Sequence, residues 1–448
     1  MNFLQRLRNG LADKDIGELL RGGAFAMGFR LLGIAMSYGF TLAISRNYGV
    51  DAWGTFALSF ALLQIMGKLG RLGLERAATR FIAEFVAKDQ QHALGRWYWR
   101  SLGYVVLANG VFALALFWGA PWIAKGLFQQ AGAAVYVRLI AFSLVPFSVL
   151  LMNAWSLKGL KRTSAYSFLE NTSLFLFGLL FLWVWRMHPN QLEIPVLAIG
   201  SSVGITCLIS FALWARYGSV RWADSEDSHS VKETFRVSLP LLVAGSMFMI
   251  MSWTDTLMLG YFQGEAEVGA YNIATKIARF STLFITSIDS IFMPKISAFY
   301  LKRDWKGLER ITYQSTRIIF FTSMPLIVLL FLFPEFLLSI FDPDLGKAPV
   351  VASLLVLAAA KFINAICGNV GSILQMTGKQ MTLQGIVFFA MLLNIGLNLL
   401  LIPYLGITGA AWSSFAGTVF FNLAGVIMVK RYFGVRASYA QFLFSRNR

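Results

Sequence analysis

The sequence predicts an all-α polytopic membrane protein, with about twelve transmembrane helices in two lobes of about six around a central cavity. Three observations carry this. The 448-residue chain is 57% hydrophobic and only 14% charged, with a mean hydropathy of +0.63, far more apolar than a soluble domain needs. Apolar runs of about 20 residues, long enough to cross the hydrocarbon as helices, recur between short polar links. Basic residues concentrate in alternate links.

Taken in order, residues 1–23 hold Asp13, Asp15 and Glu18 where a cleavable signal would carry its apolar core. This segment is expected to lie along the inner surface, with Phe3, Leu4, Leu7 and Leu11 toward lipid and Arg6, Arg8 and Lys14 toward anionic headgroups. An N-lobe, 24–217, then has apolar runs near 24–45, 55–76, 101–119, 138–157, 164–185 and 194–216. A polar cytoplasmic linker, 218–236, contains Asp224, Glu226 and Asp227. The C-lobe, 237–430, has runs near 237–259, 270–293, 311–333, 349–375, 382–402 and 409–429, and a basic cytoplasmic tail occupies 431–448.

The net charge of +17 would point to nucleic acid in a soluble protein, but its distribution here is topological. Outer links hold only Arg46, Lys125, Arg138, Arg186 and Lys347, whereas inner links hold Arg80, Lys88, Arg96, Lys158, Lys161, Arg216, Lys295, Arg303 and many others. That bias places both termini in the cytoplasm and leaves no nucleic-acid partner to propose.

A weak internal repeat relates the halves. Aligning Gly54 with Gly269 superposes the second run on the eighth, with Gln64 on Arg279 and Arg80 on Lys295. Gly159 then falls near Gly378 at matching inner turns. An offset of an even number of helices keeps both halves in the same orientation, related by an axis along the membrane normal.

Polar residues at helical spacing inside the runs mark the candidate site. Asn272, Lys276, Arg279, Thr282, Thr286 and Asp289 recur at three- and four-residue steps, as do Gln64, Lys68, Arg71 and Glu75. A charge at mid-bilayer costs about 2.5–3.5 kcal/mol on insertion scales, so several on one face imply a shared polar cavity. Arg30 and Lys361 complete the cationic set, with Arg30 equally able to snorkel to the interface. Arg76 and Arg317 are expected as interfacial anchors. Gln64, Asn272, Asn364 and Gln375, with Asn394 and Asn398, are candidate sugar contacts or helix-packing hydrogen bonds. Glu75, Glu170, Asp255 and Asp289 either neutralise neighbouring cations or couple transport to an ion. Because deep cations outnumber deep acids, the ligand should be an anion such as phosphate or carboxylate.

Other chemistry finds no support. Cys207 and Cys367 lie in separate runs, and His92, His188 and His229 in separate links, so neither a disulfide nor a metal site is expected. No catalytic triad or nucleotide loop is present, and no cofactor is expected.

The stretch RNYGVDAWG from Arg46 to Gly54, followed by LGRLGL from Leu69 to Leu74 and RFIA from Arg80 to Ala83, resembles the N-terminal signature of the Wzx-like polysaccharide flippases. These belong to the MOP superfamily, which also holds multidrug and toxin extrusion (MATE) transporters and the lipid II flippase. Asp255, then Leu259-Gly260 and Val268-Gly-Ala-Tyr271, is similar to the signature opening the second half, although Thr256 stands where the family often has a basic residue. The resemblance implies a MATE-like flippase that moves a polyprenyl-pyrophosphate-linked oligosaccharide from the inner to the outer leaflet of the bacterial cytoplasmic membrane. The product would feed O-antigen or related polysaccharide synthesis, with a polymerase and a chain-length regulator as partners. A cation exporter of the MATE kind and a membrane-embedded polymerase or ligase are the rival readings. The first conflicts with a cationic lumen, and the second with short outer links that carry only His188 among histidines.

Overall fold

A computed structural model describes residues 14–129, 131–188, 192–218, 229–439 and 441. The expectations for residues 1–13, for most of the linker and for most of the basic tail lie outside them. Every regular element among the described residues is helical. Ten of these helices are long and apolar enough to cross a membrane. The first, Phe25–Gly70, has 46 residues, about twice what one crossing requires, and bends at Gly49, whose φ of 88° breaks the helical path. It therefore supplies the first two expected runs. The eighth run is missing from the ten because Lys276, Arg279 and Asp289 lower its hydropathy and a tight turn, Phe280–Thr282, interrupts it.

The chain divides into two compact units, Met1–Ser246 and Met247–Arg448. The N-terminal unit contains α1 (Lys14–Gly70), α2 (Leu74–Ala87), α3 (Gln91–Leu127), α4 (Ala134–Gly159), α5 (Thr163–Ser167), α6 (Ser173–Val184), α7 (Ile194–Tyr217) and the first half of α8 (Val231–Phe262). A π-helical turn, Phe168–Thr172, joins α5 to α6. Helices in lipid associate through close packing and interhelical hydrogen bonds rather than through a hydrophobic driving force, and both devices are used. Gly33 lies so close to the Asn171 carbonyl that a Cβ would collide with it. Around that contact Thr172 Oγ1 donates to the Phe29 carbonyl (2.5 Å) and Ser167 Oγ to the Ala26 carbonyl (2.7 Å). Deeper in the unit, Tyr98 donates to Asn153 (2.5 Å), which donates to Ser210 (2.9 Å), so α3, α4 and α7 share one buried chain of donors and acceptors.

The start of α8 is fixed by chemistry visible in the sequence. Ser230 and Glu233 form a reciprocal capping box, with Ser230 N donating to Glu233 Oε2 (2.9 Å) and Glu233 N to Ser230 Oγ (3.2 Å). Trp97 Nε1 donates to Thr234 Oγ1 (3.1 Å), and Arg100 to the His229 carbonyl. The imidazole of His229 sits between Glu84 (3.4 Å) and Glu233 (3.5 Å) over the ring of Phe81. These contacts attach the first half of α8 to the N-terminal unit.

The C-terminal unit contains the rest of α8, α9 (Glu265–Arg279), α10 (Leu283–Leu301), α11 (Trp305–Leu332), α12 (Pro334–Ser339), α13 (Ala348–Cys367), α14 (Val370–Met376), α15 (Gln380–Leu405) and α16 (Ile407–Phe433). Ile296, Leu308, Ile319, Leu374 and Val429 lie in its core. The run expected over 349–375 is two helices, split at Gly368, which adopts a φ of 68° and packs directly on Thr316. Only glycine takes that backbone conformation without strain. The turns after α4 and α14 also differ: Gly378 has a φ of 74°, whereas after α4 Lys161 adopts the positive φ and Gly159 instead lets Ile82 approach.

Candidate functional site

In the N-terminal unit the polar stripe is folded by a break. The helix α1 ends at Gly70, and the chain turns through Leu72 and Gly73 with positive φ before α2 resumes. Seven residues along a straight helix span about 10 Å, yet Lys68 Nζ donates directly to Glu75 Oε1. Arg71 Nε lies 3.9 Å from Glu75 Oε2, and its guanidinium sits over the Phe147 ring at 5.6 Å. All three side chains are buried. A carboxylate flanked by two cations is what makes such deep burial tolerable.

Gln64 is half-buried and Arg30 exposed. Glu170 sits on the π-helical turn, half-buried, within electrostatic range of Lys158, Arg71 and Arg76. Lys158 Nζ lies 4.4 Å from the Trp155 ring centre and 4.6 Å from that of Tyr166. Arg76, expected as an interfacial anchor, stands 5.9 Å over Trp155. The sequence reading missed Trp155, Tyr166 and Lys158 as a group. The i, i+3 spacing of Trp155 and Lys158 carried part of that signal; Tyr166, across a turn, carried none.

In the C-terminal unit the carboxylate of Asp255 accepts four hydrogen bonds from neutral groups. Asn394 (3.1 Å) and Asn398 (2.7 Å) donate to Oδ1, while Tyr271 (2.7 Å) and Ser414 donate to Oδ2. Asp255, Asn394, Asn398 and Tyr271 are all buried, and they arrive from α8, α9 and α15, with Ser414 from α16. Asn398 Oδ1 is a buried acceptor with no hydrogen bond. Asn394 and Asn398, expected as sugar contacts or as helix-packing hydrogen bonds, both donate to Asp255.

The cations of this unit lie elsewhere. Arg279, exposed at the end of α9, acts electrostatically on half-buried Lys276 and on half-buried Lys361 of α13, so the three form one basic group. Asn272 accepts from Thr256 (3.3 Å), and Asp289 accepts from Ser372 (3.2 Å). Asn364 is half-buried and Gln375 exposed; the Thr286 side chain lies outside the described residues. No group of three or more His, Cys, Asp or Glu among the described residues is placed to hold a metal ion. Both cysteines are free and buried.

With this geometry in hand, the chain can be compared with known proteins. Residues 19–299 match the family described as polysaccharide biosynthesis protein. The chain belongs to that family. A second family, MatE, matches residues 240–400. A probable low-salt glycan biosynthesis flippase of Haloferax volcanii is 25% identical over 224 residues, 48% of this chain and 47% of that protein. This chain therefore spans about half the length of that relative. A probable flippase of the same organism, AglR, is 24% identical over 422 residues, covering 88% of this chain and 80% of AglR. Among solved structures, an inward-facing multidrug resistance MATE family transporter superposes with a TM-score of 0.71 at 14% identity, over 87% of this chain and 94% of that one. A MOP superfamily transporter from Pyrococcus furiosus, described by the reverse polarity of its binding pocket, gives 0.61 at 14% identity over 93% and 94%. The fold is that of the MOP superfamily, and the protein is a multi-pass membrane protein.

Proposed function

We propose that this protein is a flippase that carries an anionic polyprenyl-pyrophosphate-linked oligosaccharide from the inner to the outer leaflet of the bacterial cytoplasmic membrane by alternating access. The observation that carries the reading is the grouping of Arg279 with half-buried Lys276 on α9 and half-buried Lys361 on α13. Such a group is costly unless an anion or water meets it. Guanidinium and ammonium groups would replace water around the pyrophosphate while the polyprenyl tail stays in lipid. The family match and the flippase relatives favour a transporter over a polymerase or ligase. O-antigen or a related surface polysaccharide is the proposed product, with a polymerase and a chain-length regulator downstream. Lobes over 24–217 and 237–430 complete the reading.

Export of an uncompensated anion is favoured by an inside-negative potential, at about 2.3 kcal/mol per charge per 100 mV. Asp255 is the proposed coupling residue. Its carboxylate beside the unpartnered Asn398 Oδ1 offers oxygens to a monovalent cation or a proton. The likeness to multidrug transporters supports a second reading, an organic-cation exporter, which this basic group would repel.

The test is transbilayer movement of a polyprenyl-pyrophosphate oligosaccharide in proteoliposomes, comparing wild type with Lys276→Ala, Arg279→Ala and Lys361→Ala. Transport by wild type and its loss in folded variants is the expected result. Undiminished transport by all three would move the anion site elsewhere. Wild-type export of an organic cation with no lipid movement would install the second reading.

A further inference from the structure

Arg30, Arg76 and Lys158 of the N-terminal unit stand outside the Lys68–Arg71–Glu75 cluster. Arg30 and Arg76 are exposed and Lys158 is half-buried. They converge on a single place, because Arg30 and Arg76 both act on Tyr166, and Lys158 and Arg76 both act on Glu170. Cations outnumber the Glu170 carboxylate at that place, and Arg71, already paired with Glu75, also reaches it.

The side chains are placed by built features. Thr79 Oγ1 donates to the Trp155 carbonyl (3.2 Å), fixing α4 against α2. Trp155 and Tyr166 meet edge to face, with ring centres 5.4 Å apart at 73°. Their faces receive Lys158 and Arg76. A ring face satisfies the charge of a cation but leaves its N–H donors available to an anion. On the other side, α8 presents Gly245, where a Cβ would come within 3.2 Å of both Arg76 Cζ and Lys68 Cε. A bare backbone at that position leaves Arg76 room to move. The π-helical turn carries Glu170 four residues beyond Tyr166, and Thr172 of that turn and Ser167 just before it donate to the Phe29 and Ala26 carbonyls, next to Arg30 in α1. Such turns inside helices recur at functional sites.

We infer that Arg76 and Lys158, held on the faces of Trp155 and Tyr166 with Arg30 at the margin, form a diphosphate-binding subsite within the N-terminal unit, separate from the Lys276, Arg279 and Lys361 group. The rings hold the two cations until the anion takes up their donors. A diphosphate diester, with both acidic protons lost at neutral pH, matches the surplus charge. This inference rests on the flippase reading and adds a second place where the head of the lipid is bound. The same chemistry could come from a bulk phospholipid headgroup, so the experiment separates the two sources.

The full-length protein in neutral detergent is titrated with farnesyl diphosphate, farnesol and inorganic diphosphate, and tryptophan emission is followed in wild type and Trp155→Phe. The expected result is a Trp155-dependent change with farnesyl diphosphate and none with farnesol. Arg76→Gln and Lys158→Gln should each weaken binding about tenfold with an unchanged melting temperature, and Gly245→Ala should reduce the response by crowding Arg76. Response to inorganic diphosphate alone supports the assignment, because the head is then sufficient. No Trp155-dependent response, or equal affinity in both glutamine variants, overturns the subsite. So does phosphatidylglycerol producing the same response and resisting displacement by farnesyl diphosphate. Oligosaccharide-lipid transport by wild-type proteoliposomes is measured in parallel: transport without the Trp155 response rejects the subsite alone, whereas loss of transport in Arg76→Gln supports it.

Discussion

Glu75 and Asp255 are both buried carboxylates in apolar surroundings, one in each unit, yet they are stabilised in opposite ways. Glu75 is held by two cations, Lys68 and Arg71. Asp255 is held by two amides and two hydroxyls, while Lys276 and Lys361 of its unit group with Arg279. The physical difference is one of exchange. An ion cluster whose charges offset one another resists a change of charge, because losing one member strands the others in a dry site. A carboxylate held only by neutral donors has no partner ion, so neutralising it leaves no buried cation behind. Burial of an acid therefore does not decide its role; its neighbours do.

The largest expected effect tests the ion cluster. Glu75→Gln should destabilise the protein by about 3–5 kcal/mol, since it leaves Lys68 and Arg71 buried without a counter-charge. Lys68→Met combined with Glu75→Gln should recover part of that loss. Thermal unfolding in detergent measures both, and a Glu75→Gln variant that melts with wild type would erase the contrast.

Close packing offers a second comparison between the units. Gly33 and Gly368 each abut a neighbour that leaves no room for a side chain, but Gly368 also carries a φ of 68°. Gly368→Ala should cost about 1–3 kcal/mol from backbone strain alone, and more once Thr316 is displaced. Gly33→Ala should cost only what separating α1 from the Asn171 carbonyl costs. Equal melting temperatures for the two variants would deny the backbone a role.

Asp255→Asn sharpens the comparison through function. Its stability cost should stay near 1–2 kcal/mol, because neutral partners remain to be satisfied, well below that of Glu75→Gln. Transport by this variant should lose its response to sodium and proton gradients in proteoliposomes. A response retained in full would move coupling away from Asp255.

The smallest effect lies at the C-terminal end of α2. The Lys88 ammonium, through its hydrogen bond, and then His229 hold the Glu84 carboxyl below its usual range, against a small opposing effect of burial. A depressed folded value contributes stability that is present above the unfolded value of about 4.3. That contribution is lost as pH falls through the lower folded value. The melting-temperature difference between wild type and Glu84→Gln should accordingly be constant near neutrality and shrink only in acid below about pH 4. A difference that instead grows as pH falls would reverse the sign.

Much of the fold was legible because lipid imposes a simple rule: a span must be long, apolar and helical. The run expected over 194–216 appears as Ile194–Tyr217, and the stripes Lys68, Arg71, Glu75 and Lys276, Arg279 stood out because charge is rare in such runs. The breaks were less visible. The split at Gly368 needed a positive φ that the surrounding apolar pattern did not advertise, and the π-helical turn at Phe168–Thr172 contains no residue that marks it. The repeat predicted matching inner turns, but not that Lys161 and Gly378 would both carry the positive φ.

Composition and the order of residues alone determined that this chain crosses a membrane many times, with basic residues concentrated in alternate links and a surplus of cations in its apolar runs, since each of these is a sum over local properties. Which cation meets which acid is a property of distance between helices, and only the tertiary structure decided it. Lys68 reaches Glu75 because the chain turns at Leu72 and Gly73. Asp255 meets Asn394, Asn398 and Ser414 across more than a hundred residues of sequence. Lys158 and Arg76 share Trp155 because α2 and α4 pack where Gly159 admits Ile82. Charge can be counted along a chain, but its compensation depends on the inverse of separation in space.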